Sequence, residues 1–130
     1  MIPINSSVWV DSFHRAATPQ ADRLDSLLGV EPLAIGDMVL TEVLRGFISE
    51  RDFGHPLRLM MSLTMIDIGG QDAALQAARH FQYLRALGVT VRKTIAPLIA
   101  TRCILGEHAL LYSDFDPFLE HLGLQSEMAT

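Results

Sequence analysis

Four short apolar runs, MIPIN at 1–5, VEPLAIG at 30–36, TMIDIG at 64–69 and HALLYS at 108–113, are each followed by a segment with helical spacing of apolar residues. A chain that alternates strand and helix in this way is confined to a few topologies, because right-handed crossovers make neighbouring strands parallel and place helices over the sheet. The expected fold is therefore α/β, three-layered, with a central mainly parallel sheet flanked by helices. Ligands of such sheets bind at the carboxyl ends of the strands, near the point where strand order reverses. Asn5 and Asp114 both fall at ends of that kind.

The local signals give approximate bounds. Ser6 or Ser7 is expected to cap a helix over 8–15, with Asp11 near its first turn, where the dipole favours an acid. A Pro-containing link at 16–20 precedes a helix ending at Gly29. Asp37 is the expected cap of a helix over 38–49, and 53–63 reads as another helix after the His55-Pro56 step. TMIDIG alternates enough for a half-buried strand. A helix over 71–87 stops at Gly88, the last long helix follows 91–93, and a short helix over 117–123 precedes a loose tail at about 125–130.

At 130 residues the chain is sized for one domain, 1–130, and 49% hydrophobic against 19% charged residues suits a compact core. No run approaches the roughly 20 apolar residues of a membrane span, and MIPINSSVW lacks the features of a signal peptide, so no membrane is expected and the expected compartment is the cytoplasm. One cysteine, Cys103, excludes an internal disulfide and a thiolate cluster, and its apolar helical neighbours mark it as a core thiol. A net charge of −5 speaks against broad electrostatic adhesion to nucleic acid. It does not exclude a nuclease, since a bound cation reverses the local sign.

The chemistry concentrates in the stretch 91–118, VRKTIAPLIATRCILGEHALLYSDFDPF, where Asp114 and Asp116 follow a strand. Glu42 is a possible partner, lying inside an apolar helix among Val39, Leu40, Val43 and Leu44. Asn5, Glu42, Asp114 and Asp116 could hold magnesium or manganese, which prefer oxygen ligands, with the Ser6 and Ser7 hydroxyls nearby. The competing reading is that Asp114 and Asp116 shape a turn before Pro117 while Glu42 pairs with Arg45. Arg45, Arg92 and Lys93 would flank the carboxylates and could hold phosphates, or could be solvated helix ends. The five histidines, His14, His55, His80, His108 and His121, lack the i, i+4 pair of a helical zinc site and read as surface or satisfied groups. No Gly-rich phosphate loop or nucleophile elbow is present.

Four segments, INSSVWVDSF, LTEVLRG, LRALGVTVRKTIAPLIA and LLYSDFDPFLEHLGL, together resemble the PIN domain, in particular the VapC-type toxin ribonucleases, over nearly the whole chain. The resemblance places the family's first acid at Asn5, before Ser6 and Ser7. It places the second at Glu42, the third at Ala96, and the fourth at Asp114 with Asp116. It implies a metal-dependent endoribonuclease in which Glu42, Asp114 and Asp116 are catalytic ligands of magnesium or manganese, Asn5 is a neutral remnant ligand and Ser7 a supporting hydroxyl. It also implies RNA as substrate, a VapB-like antitoxin as partner, and a homodimer. Two carboxylates are replaced, and the formal charge over positions 5, 42, 96, 114 and 116 is −3 where five acids would give −5. Weak metal affinity and little or no hydrolysis follow. The runner-up is a degenerate PIN domain that only binds an antitoxin or dimerises.

Overall fold

The computed structural model describes residues 1–91, 93–113 and 116–128, the side chains of residues 116 and 119 excepted. The elements in order are β1 (Ile2–Pro3), α1 (Ser6–Phe13), α2 (Pro19–Leu27), β2 (Leu33–Gly36), α3 (Asp37–Leu44) and α4 (Glu50–Met61). They continue as β3 (Thr64–Ile66), α5 (Gln71–Ala86), α6 (Ile95–Leu105), β4 (Ala109–Leu110), α7 (Asp116–Leu122) and β5 (Gln125–Ser126).

β1 pairs parallel with β2 and β2 with β3, and β4 pairs parallel with β5. A parallel bridge between Ile4 and Leu111 joins the two sets: Asn5 N–H donates to the Leu111 carbonyl at 2.9 Å and Leu111 N–H to the Pro3 carbonyl at 3.1 Å. The strand order is thus β3-β2-β1-β4-β5. The chain moves outward from β1 to β3, then crosses to the other side of β1, so right-handed crossovers put α1–α4 and α5–α7 on opposite faces. Order reverses between β1 and β4, and Asn5 is the first residue beyond β1's paired end. The expected three-layer parallel architecture is present.

The core joins the layers through Ile4, Trp9, Leu24, Ile35, Met60, Leu84, Ile99, Leu110 and Leu124, each nearly inaccessible to solvent. Gly36 at the end of β2 permits the closest approach: a Cβ there would lie 2.6 Å from Ile68 Cγ1. Asp37 holds the same junction, its Oδ1 accepting from the Met38 and Ile68 amides at 2.8 and 3.1 Å. Arg102 reaches across from α6 to the Ile68 and Gly69 carbonyls at 3.2 and 2.7 Å. The loop after β3 is therefore tied to both helical layers.

Several expected bounds move. Asn5, not Ser6 or Ser7, is the N-cap of α1, by backbone alone, which puts both serines in the first turn and Asp11 beyond it. α2 begins inside the expected link, because Thr18 Oγ1 accepts from Ala21 N–H at 3.0 Å and Pro19 suits the first turn. α3 ends at Leu44, five residues early, and Asp37 is its first residue rather than its cap. α4 starts earlier than the His55-Pro56 step and takes Pro56 inside, held by a Ser49 cap, by Glu50 and Asp52 at its positive end, and by the buried Met60. β3 is largely exposed rather than half buried, since it forms the sheet edge. Within the expected tail, the described residues reach Met128. Gln125 and Ser126 pair with β4, Leu124 is buried, and Glu127 forms an ion pair with Arg23 at 2.6 Å.

Two buried groups of α5 and α6 bear out their sequence reading. Burial pushes the Cys103 thiol up to about 12, so it stays protonated. His80 lies on the buried stripe Ala73, Ala77, His80, Leu84, with Nδ1 3.0 Å from Thr101 Oγ1, Nε2 3.2 Å from the Gln76 amide, and its ring edge-on to Phe118. Burial lowers its pKa below the ordinary 6.5, because the charged ring loses hydration. The stability this neutral ring contributes is full above the unfolded value and is lost as pH falls through the lower folded value. The urea midpoint should therefore descend as pH falls below the ordinary histidine value of 6.5, and His80→Gln should flatten that descent. An unchanged slope in the variant would remove His80 from the account.

Candidate active site at the reversal of strand order

An open cavity of about 500 Å3 lies at the carboxyl end of β1. Asn5, Ser6 and Ser7 line it from the start of α1, Glu42 from α3 with Arg45 just after it, and Lys93, Thr94, Ile95 and Ala96 from the start of α6. The sequence separations are bridged by topology. β1 delivers Asn5, and the helices on opposite faces turn their ends toward the same opening.

The polar contacts are sparse. Ser6 Oγ donates to Glu42 Oε1 at 3.1 Å, giving this half-buried carboxylate a partner beside the apolar Val39 and Val43. Asn5, 6% exposed, donates from Nδ2 to Ser7 Oγ at 3.2 Å. The expected alternative pairing of Glu42 with Arg45 does not form. Arg45 and Lys93 are exposed, and neither makes an ion pair among the described residues.

Of the residues singled out in the sequence, Asn5, Ser7, Glu42, Arg45, Lys93 and Ala96 meet at this cavity. Arg92 and Asp114 lie outside the described residues. Asp116 opens α7, with its side chain outside them too. Thr94 and Ile95 line the cavity without having been singled out. The signal for Thr94 was its position just before the apolar run IAPLIA, where a helix begins. Arg102 was also missed, since a cation satisfied by two carbonyls leaves no mark in sequence spacing.

Among the described residues the cavity offers one carboxylate, one neutral amide and hydroxyls beside two cationic side chains, and the two further expected ligands, Asp114 and the Asp116 side chain, lie outside them. Among the described residues no three His, Cys, Asp or Glu side chains are grouped to hold a metal. No helix among them is long and apolar enough to cross a membrane.

No family model and no curated sequence matches the chain. Solved structures do. A chain of VapBC2 from Rickettsia felis, bound to a DNA fragment from its promoter, is similar over 98% of both chains at 20% identity, with a TM-score of 0.75. A chain of the DNA-bound VapBC from Salmonella typhimurium is similar over 97% of this chain and 96% of its own, at 16% identity and a TM-score of 0.75. A toxin–antitoxin complex from Klebsiella pneumoniae matches over 97% of both chains, at 17% identity and a TM-score of 0.72. The fold is the one found in these complexes. The three-layer α/β architecture expected from the sequence is shared with these structures over nearly their whole length, and the cavity opens where such folds place their ligands.

Proposed function

We propose that this chain is the toxin component of a type II toxin–antitoxin pair, built on a PIN-type endoribonuclease whose phosphodiester hydrolysis is strongly impaired in this sequence. The observation that carries the reading is the convergence of Asn5, Glu42 and Ala96 on one cavity, on a fold shared with VapBC complexes. These are the positions where the family resemblance places three acids, and one acid is present. A magnesium or manganese ion, when bound, supplies an activated water and neutralises charge at an RNA phosphate. Glu42, Asp114 and Asp116 are its proposed ligands and the catalytic carboxylates. Asn5 offers only a neutral carbonyl, Ser7 supports it, and Ala96 offers nothing. Arg45, Arg92 and Lys93 are the proposed phosphate contacts. The partners are a VapB-like antitoxin, an RNA substrate and a second copy of the chain, in the cytoplasm.

The test is RNA cleavage with magnesium by the chain carrying Asn5→Asp and Ala96→Asp. Cleavage gained over the present chain supports the reading, and its absence in a folded double variant removes it. The second reading, a degenerate domain that only binds an antitoxin or itself, is favoured by the shortage of carboxylates in a fold whose core is intact. It is the reading that survives if antitoxin binding persists in both forms while neither cleaves.

A further inference from the structure

We infer that Arg102 is a positioning residue for the cavity: with Asp37 it clamps the backbone of Ile68 from two sides, and so fixes α6 against α3, which line the cavity from opposite layers. The inference rests on this cavity being the site of the proposed function, and concerns how the site is held.

The clamp is built on the loop after β3. Asp37, the first residue of α3, accepts the Ile68 amide at 3.1 Å through the same Oδ1 that accepts the Met38 amide. Arg102, in the second half of α6, donates from Nε to the Ile68 carbonyl at 3.2 Å and from Nη2 to the Gly69 carbonyl at 2.7 Å. Side chains from the two helical layers thus hold residue 68 by its N–H and by its C=O. The loop has little room to slip between them. Ile68 lies so close to Gly36 that a Cβ there would stand 2.6 Å from Ile68 Cγ1, and a Cβ on Gly69 would stand 3.4 Å from Met38 Cε.

Arg102 is committed to this contact. It makes no ion pair among the described residues, and its planar fork spans two successive carbonyls, a geometry that the point charge of lysine does not match. Bonds from a charged donor are stronger than neutral ones and, unlike apolar contacts, directional. Apolar packing alone would leave α6 free to slide or turn by small amounts; the fork sets its angle. A helix moves largely as one body, so holding α6 at Arg102 also sets its first turn, where Ile95 and Ala96 line the cavity. Asp37 does the same for α3, which carries Glu42 to Ser6.

Amide NMR of the metal-free chain tests the clamp, with the Asn5 side-chain NH2 group and the Ala96 backbone amide as reporters in the cavity and hydrogen exchange of the Ile68 amide as reporter of the loop. Arg102→Leu should shift both cavity signals and speed Ile68 exchange by about tenfold or more, although Arg102 does not bond that amide itself. Asp37→Ala should move the same signals, and the double variant should add little to either single one, because both act through residue 68. Arg23→Ala on α2, which removes the ion pair with Glu127, should leave the cavity signals in place. Circular dichroism confirms each fold, and if Arg102→Leu does not fold, Arg102→Lys, which keeps the charge without the fork, carries the same test with smaller shifts. No readout depends on cleavage, so failure of the proposed reaction leaves the clamp standing. Unmoved cavity signals in a folded Arg102 variant, equal movement in Arg23→Ala, or additive effects of Asp37→Ala and Arg102→Leu would overturn the clamp and leave the proposed reaction untouched.

Discussion

Magnesium-dependent RNA cleavage is expected to rise by on the order of 100-fold or more when Asn5→Asp and Ala96→Asp are introduced together. Charge stabilisation by a bound cation is worth several kcal/mol in a transition state, and each 1.36 kcal/mol is about tenfold in rate. The two positions suit restoration. Asn5 is buried at the cavity wall, and aspartate has its shape. Ala96 is half buried in the first turn of α6, where a negative side chain is favoured by the helix. Each single variant should recover much less than half of the gain in free energy, because neighbouring ligands share one ion and do not act additively. Chelator should abolish the gained activity. A folded double variant no faster than the present chain would mean that these two positions are not what limits hydrolysis.

The alternation of apolar runs with helical segments was enough to foresee the parallel sheet, since chirality and short connections leave little choice once that order is known. The site was legible to the extent that it used residue types with few bland explanations. Glu42 inside an apolar helix announced a partner, and the partner is Ser6. What escaped detection depended on distance in three dimensions. No spacing rule reveals that Arg102 on α6 holds the loop after β3, or that residues 125–126 return to pair with β4 when a polar terminus usually frays. Helix bounds moved for a related reason. Thr18 and Ser49 are unremarkable as letters, yet each satisfies an otherwise unpaired amide and so decides where its helix begins.

Trp9→Ala is expected to cost about 4 kcal/mol of folding stability and to lower the melting temperature by roughly 15 °C. The side chain has no solvent exposure, packs on α1 in the common core, and stacks on Phe13 at 5.9 Å, which in turn meets Phe47 edge-on at 5.9 Å. Removing it leaves a large void among rigid neighbours, which can refill only part of it. Trp9→Phe separates packing from polarity. The indole Nε1 is buried with no hydrogen-bond partner among the described residues, so phenylalanine removes an unsatisfied donor while keeping a ring against Phe13. Its cost should be about 1.5 kcal/mol, well below that of alanine, by urea unfolding. The consequence reaches the cavity, because α1 begins at Ser6, next to Asn5, and carries Ser7. An anchored α1 fixes the direction of all three cavity residues. Equal stabilities for the two variants would show that packing around Trp9 is loose and that α1 is held by other contacts.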